Sequence, residues 1–334
     1  MFRSRTAGKS RWIVLVLLIL IAVGGWFAWG PGPRLDPPAM VQIPAGSSTW
    51  DIANRLQQAG VVRSAAAFTA LSLWPPRRSL KAGTYRFSGG QTVAAVLDTV
   101  AHGHFYAVAL VVPEGYNRFD IARELEQRGL ASAQAFLAAT ASPATIRDVD
   151  PAAVSLEGYL FPATYSIAPQ TPVTRIVAMM IDRFRQQLRE TSPPPAGGNL
   201  HDWLTLASLV EKETPVASER PVIAGVFRNR LAKGWTLDCD PTVAYAALLA
   251  DRYTGSLHKS DLSFPSPYNT YLNHGLPPGP IANPGAAALA AAAFPATTDY
   301  LFFVSDGHGA HRFARTLAEQ EANIRLYRAA LGGN

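Results

Sequence analysis

The sequence predicts an α+β protein tethered to a membrane by an N-terminal helix. Three patterns predict it: an apolar, uncharged run near the N-terminus, a strand–turn–helix unit that occurs twice, and a C-terminal half in which capped helices lead to a short strand. The 334 residues leave room for two modest domains or one elaborate one. Hydrophobic residues make up 48% and charged residues 16%, a globular composition that excludes a disordered chain. The formal charge is +6, but Arg3, Arg5, Lys9 and Arg11 supply four of those charges, and no long Lys/Arg run follows. The basicity is therefore a membrane-topology signal, and no nucleic-acid partner is expected. Cys239 is the single cysteine, which excludes an internal disulfide and a cysteine-based metal site.

Residues 1–11 are predicted to be a basic cytoplasmic tail. Residues 12–30 contain the apolar run from Trp12 to Trp29, about 18 residues and enough to span a bilayer. Trp12, Trp26 and Trp29 sit at its ends, where interfacial aromatics belong, and the basic flank places the bulk of the chain outside the cytoplasm. A cleaved signal peptide is the competing reading, because Ala28-Trp29-Gly30 offers a small-x-small triplet. The run is longer than a usual signal core, however, and Pro31 follows at once. Pro31 to Pro38 then reads as a stiff tether. Ser192-Pro-Pro-Pro-Ala-Gly-Gly198 reads as a loop.

Between these breaks lies a repeat. Residues 43–62, IPAGSSTWDIANRLQQAGVV, align without a gap on residues 112–131, VPEGYNRFDIARELEQRGLA. Each copy has the pattern of a strand, a Pro-x-Gly turn, an amphipathic helix and a Gly C-cap. After each come a Thr-Tyr pair (Thr84-Tyr85, Thr164-Tyr165) and a helix, Thr92 to Val100 and Thr171 to Phe184. The pattern predicts a duplicated strand–helix unit; two ordinary units of similar composition are the alternative.

Further on, Asn199 is the expected N-cap, with Asp202 three residues on, of a helix ending near Glu213. Pro215 stops it by disfavouring helical geometry at Thr214. Ser218 is the expected cap of a second helix, with Pro221 in its first turn and Gly234 past its end. Asp240-Pro241 opens a third, with Asp as N-cap and Pro at N1. Tyr300 to Val304 reads as a buried strand, turned by Ser305-Asp306-Gly307. Thr316 with Glu319 reads as a capping box for the last helix.

The segment Leu206-Ala-Ser-Leu-Val-Glu-Lys-Glu-Thr214 holds two carboxylates. At about 100° per residue, Leu206, Leu209, Val210 and Glu213 share one face, while Glu211 and Lys212 fall on the other side. Glu213 therefore points toward the interior or a cleft, and Glu211 toward water or a neighbouring segment. A carboxyl on an apolar face resists ionisation, and the helix C-terminus pushes the same way. A carboxylic acid protonated near neutral pH is what a glycosidic bond needs as general acid. A buried Glu paired to an Arg as structural glue fits the same pattern. Glu219 and Arg220 follow the helix. Ser266-Pro-Tyr-Asn-Thr-Tyr271 is a polar-aromatic loop suited to sugar recognition, while Asp240 reads as a cap and Asn283-Pro284-Gly285 as a turn. Asp306, His308 and His311 surround a Gly-rich turn. With no Cys and no helical His pair beside them, they point to hairpin structure and substrate contact, and no metal site is expected.

The chain resembles the YceG-like (MltG) family of endolytic murein transglycosylases. The resemblance rests on LEGYLFPATY (156–165), LASLVEKETPVASER (206–220), DPTVAYA (240–246), SPYNTYLNHGLPPGPIANPG (266–285) and YLFFVSDGHGAHRF (300–313). AGTYRF (82–87) is similar to the family's LysM-like region. The resemblance implies a tether and LysM-like α/β subdomain over 31–106 and a mixed α+β catalytic domain over 107–334, held at the inner membrane with the catalytic part in the periplasm. It implies cleavage between N-acetylmuramic acid and N-acetylglucosamine in nascent peptidoglycan strands, and partnership with penicillin-binding proteins or other cell-wall synthases.

The family's catalytic glutamate is the second Glu of its E-K-E motif, which carries over to Glu213. The expected reaction is lytic: Glu213 protonates the leaving oxygen, then accepts the C6 hydroxyl proton, giving a 1,6-anhydromuramyl end with no cofactor. Glu157, Tyr159, Ser218, Glu219, Arg220, Asp240, Tyr268, Asn269, Thr270 and His311 are the candidates for substrate contact. Where the family usually has Asp in F-P-D-T-Y this chain has Ala163, so no catalytic or metal role carries over there. Cys239 stands where a small polar residue is common, and Arg312 where a neutral one is expected. A non-catalytic anchored glycan-binding module and a muramidase-type hydrolase are the alternative functions. Glu213 beside a cluster of polar loops argues against the first, and product chemistry separates the second.

Overall fold

The computed structural model describes residues 30–75, 78–191 and 199–332, with isolated positions between 12 and 26. The basic tail over 1–11, the membrane-spanning segment expected over 12–30 and the 192–198 loop lie wholly or largely outside the described residues. Among the described residues, no helix is long and apolar enough to cross a membrane. The fold is mixed α+β, with two-stranded sheets among helices, and the chain divides into two units, Met1–Val108 and Ala109–Asn334.

The first unit runs β1 (Arg34–Ile43), α1 (Thr49–Gln58), α2 (Ala65–Leu73), β2 (Gly83–Gly89) and α3 (Val93–His102). β1 and β2 are antiparallel, with Val41 opposite Tyr85. Strand side chains alternate between faces. Val41, Ile43, Tyr85 and Phe87 therefore share one side, where they pack with Ile52, Ala53 and Leu56 of α1 and Val96, Leu97 and Val100 of α3.

The second unit opens with the same order: β3 (Val108–Val112), α4 (Arg118–Gln127), α5 (Ala133–Ala141), β4 (Ala163–Ile167) and α6 (Val173–Glu190), with β3 paired to β4. The local devices match as well. Ser48 and Asn117 cap α1 and α4 in capping boxes closed by Asp51 and Asp120, each cap contributing about 1 kcal/mol. Gly46 and Gly115 turn the chain at φ +80° and +76°, a region that side chains disfavour. Each Tyr of the Thr-Tyr pairs donates its hydroxyl to the carbonyl four residues back, Tyr85 to Lys81 at 2.7 Å and Tyr165 to Phe161 at 2.5 Å. The duplicated unit is thus β-α-α-β-α, larger than the strand–helix unit legible in the sequence. Its second helices, α2 and α5, share a Ser N-cap and small apolar residues.

The rest of the second unit is built on α7 (Leu200–Glu213), with α8 (Arg220–Ala232), α9 (Asp240–Leu249), α10 (Ala286–Ala293), a hairpin of β5 (Phe302–Ser305) and β6 (His311–Ala314), and α11 (Leu317–Gly332). The N-terminal half of α7 (Trp203, Leu204, Ala207) shares a core with α4, α5 and α6. Its C-terminal half (Leu209, Val210) shares another with Ile223, Ala224 and Phe227 of α8 and Tyr245 of α9. α10 is nearly all alanine, so it packs closely on α7 and α8. The Leu289 carbonyl of this helix accepts the Trp203 indole N–H at 2.9 Å.

Three boundary readings are corrected. Ser218 is exposed in a turn and does not cap α8, whose N-cap is Glu219 with no side-chain bond. Asp240 is the first residue of α9, and Cys239 is its N-cap. β5 is half-buried rather than buried, because both strands of a two-stranded hairpin are edges.

Candidate active site

α7 starts at Asn199, whose side chain accepts the Asp202 amide at 2.7 Å. It stops at Glu213, because Pro215 holds Thr214 extended at φ −143°, ψ 134°. The two carboxylates of the E-K-E motif then part company.

Glu211 accepts Arg220 Nη2 at 2.9 Å and the Gly285 amide at 2.9 Å, with only 5% of its side chain exposed. Burial pushes its carboxyl upward, against the pull of the Gly285 amide and the Arg220 guanidinium. A Cβ at position 285 would lie 1.9 Å from a Glu114 carboxylate oxygen, so the exposed Glu114 side chain would have to swing aside for any larger residue. The arrangement of a buried Glu on an Arg is therefore found at Glu211, where the sequence pattern had left it open for Glu213. Glu211 faces a neighbouring segment, not water.

Among the described residues, Glu213 makes no salt bridge. It lines a cleft of about 410 Å³ with Arg230, Asp240, Tyr271, Phe303 and His311. Burial pushes its carboxyl up to about 7. The Cys239 thiol, which donates to it, and His311 oppose that rise, while the Asp240 carboxylate adds to it. The thiol is itself held well above its ordinary range by burial and by Glu213, so it stays a neutral donor. Cys239 is set in place by its amide, which donates to Thr270 Oγ1 at 3.1 Å, and Thr270 bonds Thr242 at 2.9 Å.

Behind the His311 side of the cleft, Glu219 accepts both the His311 amide at 2.8 Å and His311 Nδ1 at 2.7 Å. Burial would raise Glu219, but the His311 ring and amide and the Thr214 hydroxyl hold it below the usual carboxylate range. Tyr271 donates to Asp240 at 2.6 Å. Arg230 donates to Asp238 and to the Thr236, Leu237 and Leu301 carbonyls, tying the hairpin to the loop before α9.

The cleft does not stand alone. A second depression of about 600 Å³ shares Asp240 with it and is floored by Tyr245 and Tyr253. A third, of about 350 Å³, shares Asp120, Arg123 and Lys212 with the second. The three adjoin through these shared residues along the second unit, a shape suited to an extended polymer rather than to a small compact ligand.

Of the sequence candidates, the structure brings Glu213, Asp240 and His311 onto one cleft, with Glu219 directly behind His311. Asn269 and Thr270 are buried and support the cleft from below: Asn269 Nδ2 donates to the Leu262 and Phe264 carbonyls at 2.9 and 2.8 Å. Direct substrate contact is corrected for both, and also for Glu157 and Tyr159. Glu157 is 1% exposed and is spent on the Arg118 amide and Asn283 Nδ2, with burial pushing it up to about 7. Tyr159 is buried and donates to Asp150. Arg220 is consumed by Glu211. Tyr268 packs on Tyr245, ring centroids 5.1 Å apart, away from Glu213. Ser218 is exposed but does not line the cleft.

Cys239, Arg230, Tyr271 and Phe303 are not among the sequence candidates; Cys239 carries a signal as the unusual residue before Asp-Pro and Tyr271 as the last residue of the polar-aromatic loop, while Arg230 and Phe303 carry none. Asn283 is no mere turn. It is fully buried, accepts the Leu160 amide at 2.9 Å, and donates to Tyr116 and Glu157. Asp306 accepts the His308 and Ala310 amides and so builds the hairpin turn. Among the described residues, no cluster of three His, Cys, Asp or Glu side chains could hold a metal ion.

Comparison with known proteins matches this geometry to a family. The sequence model of the YceG-like family matches residues 41–326. An endolytic murein transglycosylase of Bacillus subtilis is 34% identical over 90% of this chain and 89% of its own length. A Streptococcus pneumoniae protein of the same name is 30% identical over 93% of this chain, which spans 63% of that relative. The crystal structure of a putative yceG-like protein from Listeria monocytogenes superposes with a TM-score of 0.56 at 32% identity, covering 85% of this chain and 98% of that one.

Proposed function

The chain belongs to the YceG-like family, and from that premise we infer that it is an endolytic murein transglycosylase, a lyase acting on peptidoglycan. The single observation that carries the catalytic reading is Glu213, a carboxyl held up to about 7 by burial at the wall of an open polar cleft. Such a group is still about half protonated at neutral pH and can act as a general acid. In this reading Glu213 donates its proton to the glycosidic oxygen leaving N-acetylmuramic acid, and the C6 hydroxyl of the same muramyl residue attacks the anomeric carbon. A 1,6-anhydro ring forms without a water molecule, and the step calls for neither metal nor cofactor.

Hydrolases of glycosides commonly use two carboxylates about the bond. Here Asp240 accepts Tyr271 and Glu219 is bound to His311, which favours the internal nucleophile. The run of depressions on both the Glu213 and the Arg123/Lys212 sides supports cutting within a strand. Asp240 and Tyr271 serve as sugar contacts in this reading.

The finer placement follows from the sequence. The basic tail and the apolar run up to Trp29 anchor the chain in the inner membrane, the first unit is the LysM-like subdomain, and residues 107–334 work in the periplasm beside cell-wall synthases.

The test is product analysis by mass spectrometry after the full chain acts on uncrosslinked glycan strands. Internal 1,6-anhydromuramyl ends are expected; reducing ends with no anhydro sugar would establish a hydrolase. The pH profile gives a second check. Glu213 must be protonated to act, and its protonated fraction falls as pH rises through about 7. kcat/KM is therefore expected to decline on the alkaline side from that pH, tenfold per unit once well above it.

A further inference from the structure

We propose that His311 is a second proton-handling residue of this cleft: its Nε2 takes the C6 hydroxyl proton while Glu213 supplies the proton to the leaving oxygen. The proposal rests on the reading of Glu213 as the acid and divides between two residues what one carboxylate would otherwise do in turn.

The geometry is that of an oriented base. His311 opens β6 and shares the cleft with Glu213, which ends α7. One carboxylate, Glu219, holds both the His311 amide and ring Nδ1, at 2.8 and 2.7 Å. The ring edge also meets Phe303, with centroids 5.5 Å apart and planes at 88°. Nδ1 is thus the protonated nitrogen in the neutral ring, which leaves the Nε2 lone pair as the acceptor. Among the described residues, Nε2 has no hydrogen-bond partner. A base whose far nitrogen is oriented by a carboxylate is the arrangement that general-base sites use, the carboxylate stabilising the imidazolium that forms.

The groups around the ring are compatible with that charge. Glu213 faces it from α7, Glu219 from the turn before α8, and Asp240 from α9 with the Tyr271 hydroxyl on it. Arg230 of α8 is paired with Asp238, and Tyr327 of α11 lines the cleft without a charge.

The step balances. The C6 O–H bond breaks with its proton going to Nε2, and the C6 oxygen bonds the anomeric carbon. The bond from that carbon to the leaving oxygen breaks with its electron pair, and that oxygen takes the Glu213 proton. His311 is left as imidazolium and Glu213 as carboxylate. Return of one proton from His311 to Glu213 across the cleft restores both.

His311→Gln and Glu219→Gln in the full chain test this, with kcat, KM and product mass followed across pH on uncrosslinked strands and melting curves as a fold check. His311→Gln is expected to lower kcat about 10²–10³-fold with KM changed by less than about threefold. It should also lose the acid-side limb of the kcat profile while the alkaline limb set by Glu213 stays. Glu219→Gln keeps the ring but removes the anion that stabilises the imidazolium formed in the step, so kcat is expected to fall about 10²-fold with KM held. Should His311→Gln melt early, the kcat loss of Glu219→Gln decides alone.

Wild-type turnover in His311→Gln would overturn the proposal, and so would a loss of rate with both limbs unmoved, which would make the ring a structural prop. An active Glu213→Gln would instead sink the reading of Glu213. An inactive Glu213→Gln beside a fully active His311→Gln would sink only the assignment to His311.

Discussion

Glu213→Gln is expected to lower lytic turnover about 10³-fold while leaving the protein folded. The amide keeps the shape and size of the acid and can still accept from the Cys239 thiol, but it has no proton of the right acidity to give the leaving oxygen. KM is expected to hold, because the run of depressions that would grip the strand is untouched. Stability should move the other way.

A carboxyl whose folded pKa lies above its ordinary value is stabilised in its protonated form. It therefore costs folding free energy as pH rises from the ordinary carboxylate range through about 7, and the cost stays on above that. Glutamine removes that cost, so at pH 8 the variant should melt at or above the wild-type temperature. Higher activity limits and lower stability in the same residue are what a functional site is expected to show. Full activity in Glu213→Gln together with a dead Glu211→Gln would transfer the acid to Glu211.

Glu211→Ala carries the largest expected loss of stability. The Glu211–Arg220 pair is 5% and 11% exposed, and it links the end of α7 to the start of α8 on either side of Glu213. Removing the carboxylate strands a guanidinium that cannot give up its charge, a penalty of about 3–5 kcal/mol. For a unit of this size that is a fall on the order of 10 °C in the melting temperature. Arg220→Ala should cost less at low pH, because burial already pushes Glu211 toward its protonated form.

Replacing both partners, Glu211→Leu with Arg220→Met, should recover most of the loss, since the desolvation of two charges disappears with them. About 1 kcal/mol should remain, because the Gly285 amide loses its acceptor. A double variant as unstable as Glu211→Ala would show that the pair is not the source of the penalty. Thermal or urea unfolding of the four proteins decides it.

The two carboxylates show how far sequence reasoning reaches. Their helical phases were enough to put Glu213 on the apolar side and Glu211 on the other, because 100° per residue is a property of the local backbone. Which of them found an arginine was not legible. Arg220 reaches Glu211 only because Pro215 ends α7 and the chain turns back at residues 214–219. Similarly, Tyr268, Asn269 and Thr270 lie in a loop whose composition suits sugar. Composition does not say which side chains turn inward, and Asn269 and Thr270 are spent under Cys239 and the loop itself.

By itself the sequence determined the α+β class, the repeat around Gly46 and Gly115, the ends of α7, and the helical phase that sets Glu213 apart from Glu211. Each depends on contacts a few residues apart: caps, turns, and the phase of a helix. Only the tertiary structure decided the rest. It extended the repeat to a second helix and return strand, and buried Glu157 and Tyr159. It also set Cys239 against Glu213 and brought His311 of the C-terminal hairpin onto the carboxylate of Glu219, 92 residues before it. Those pairings join segments far apart in the chain, where no periodicity couples one residue to the other, and they exist only once the cores on either half of α7 have closed.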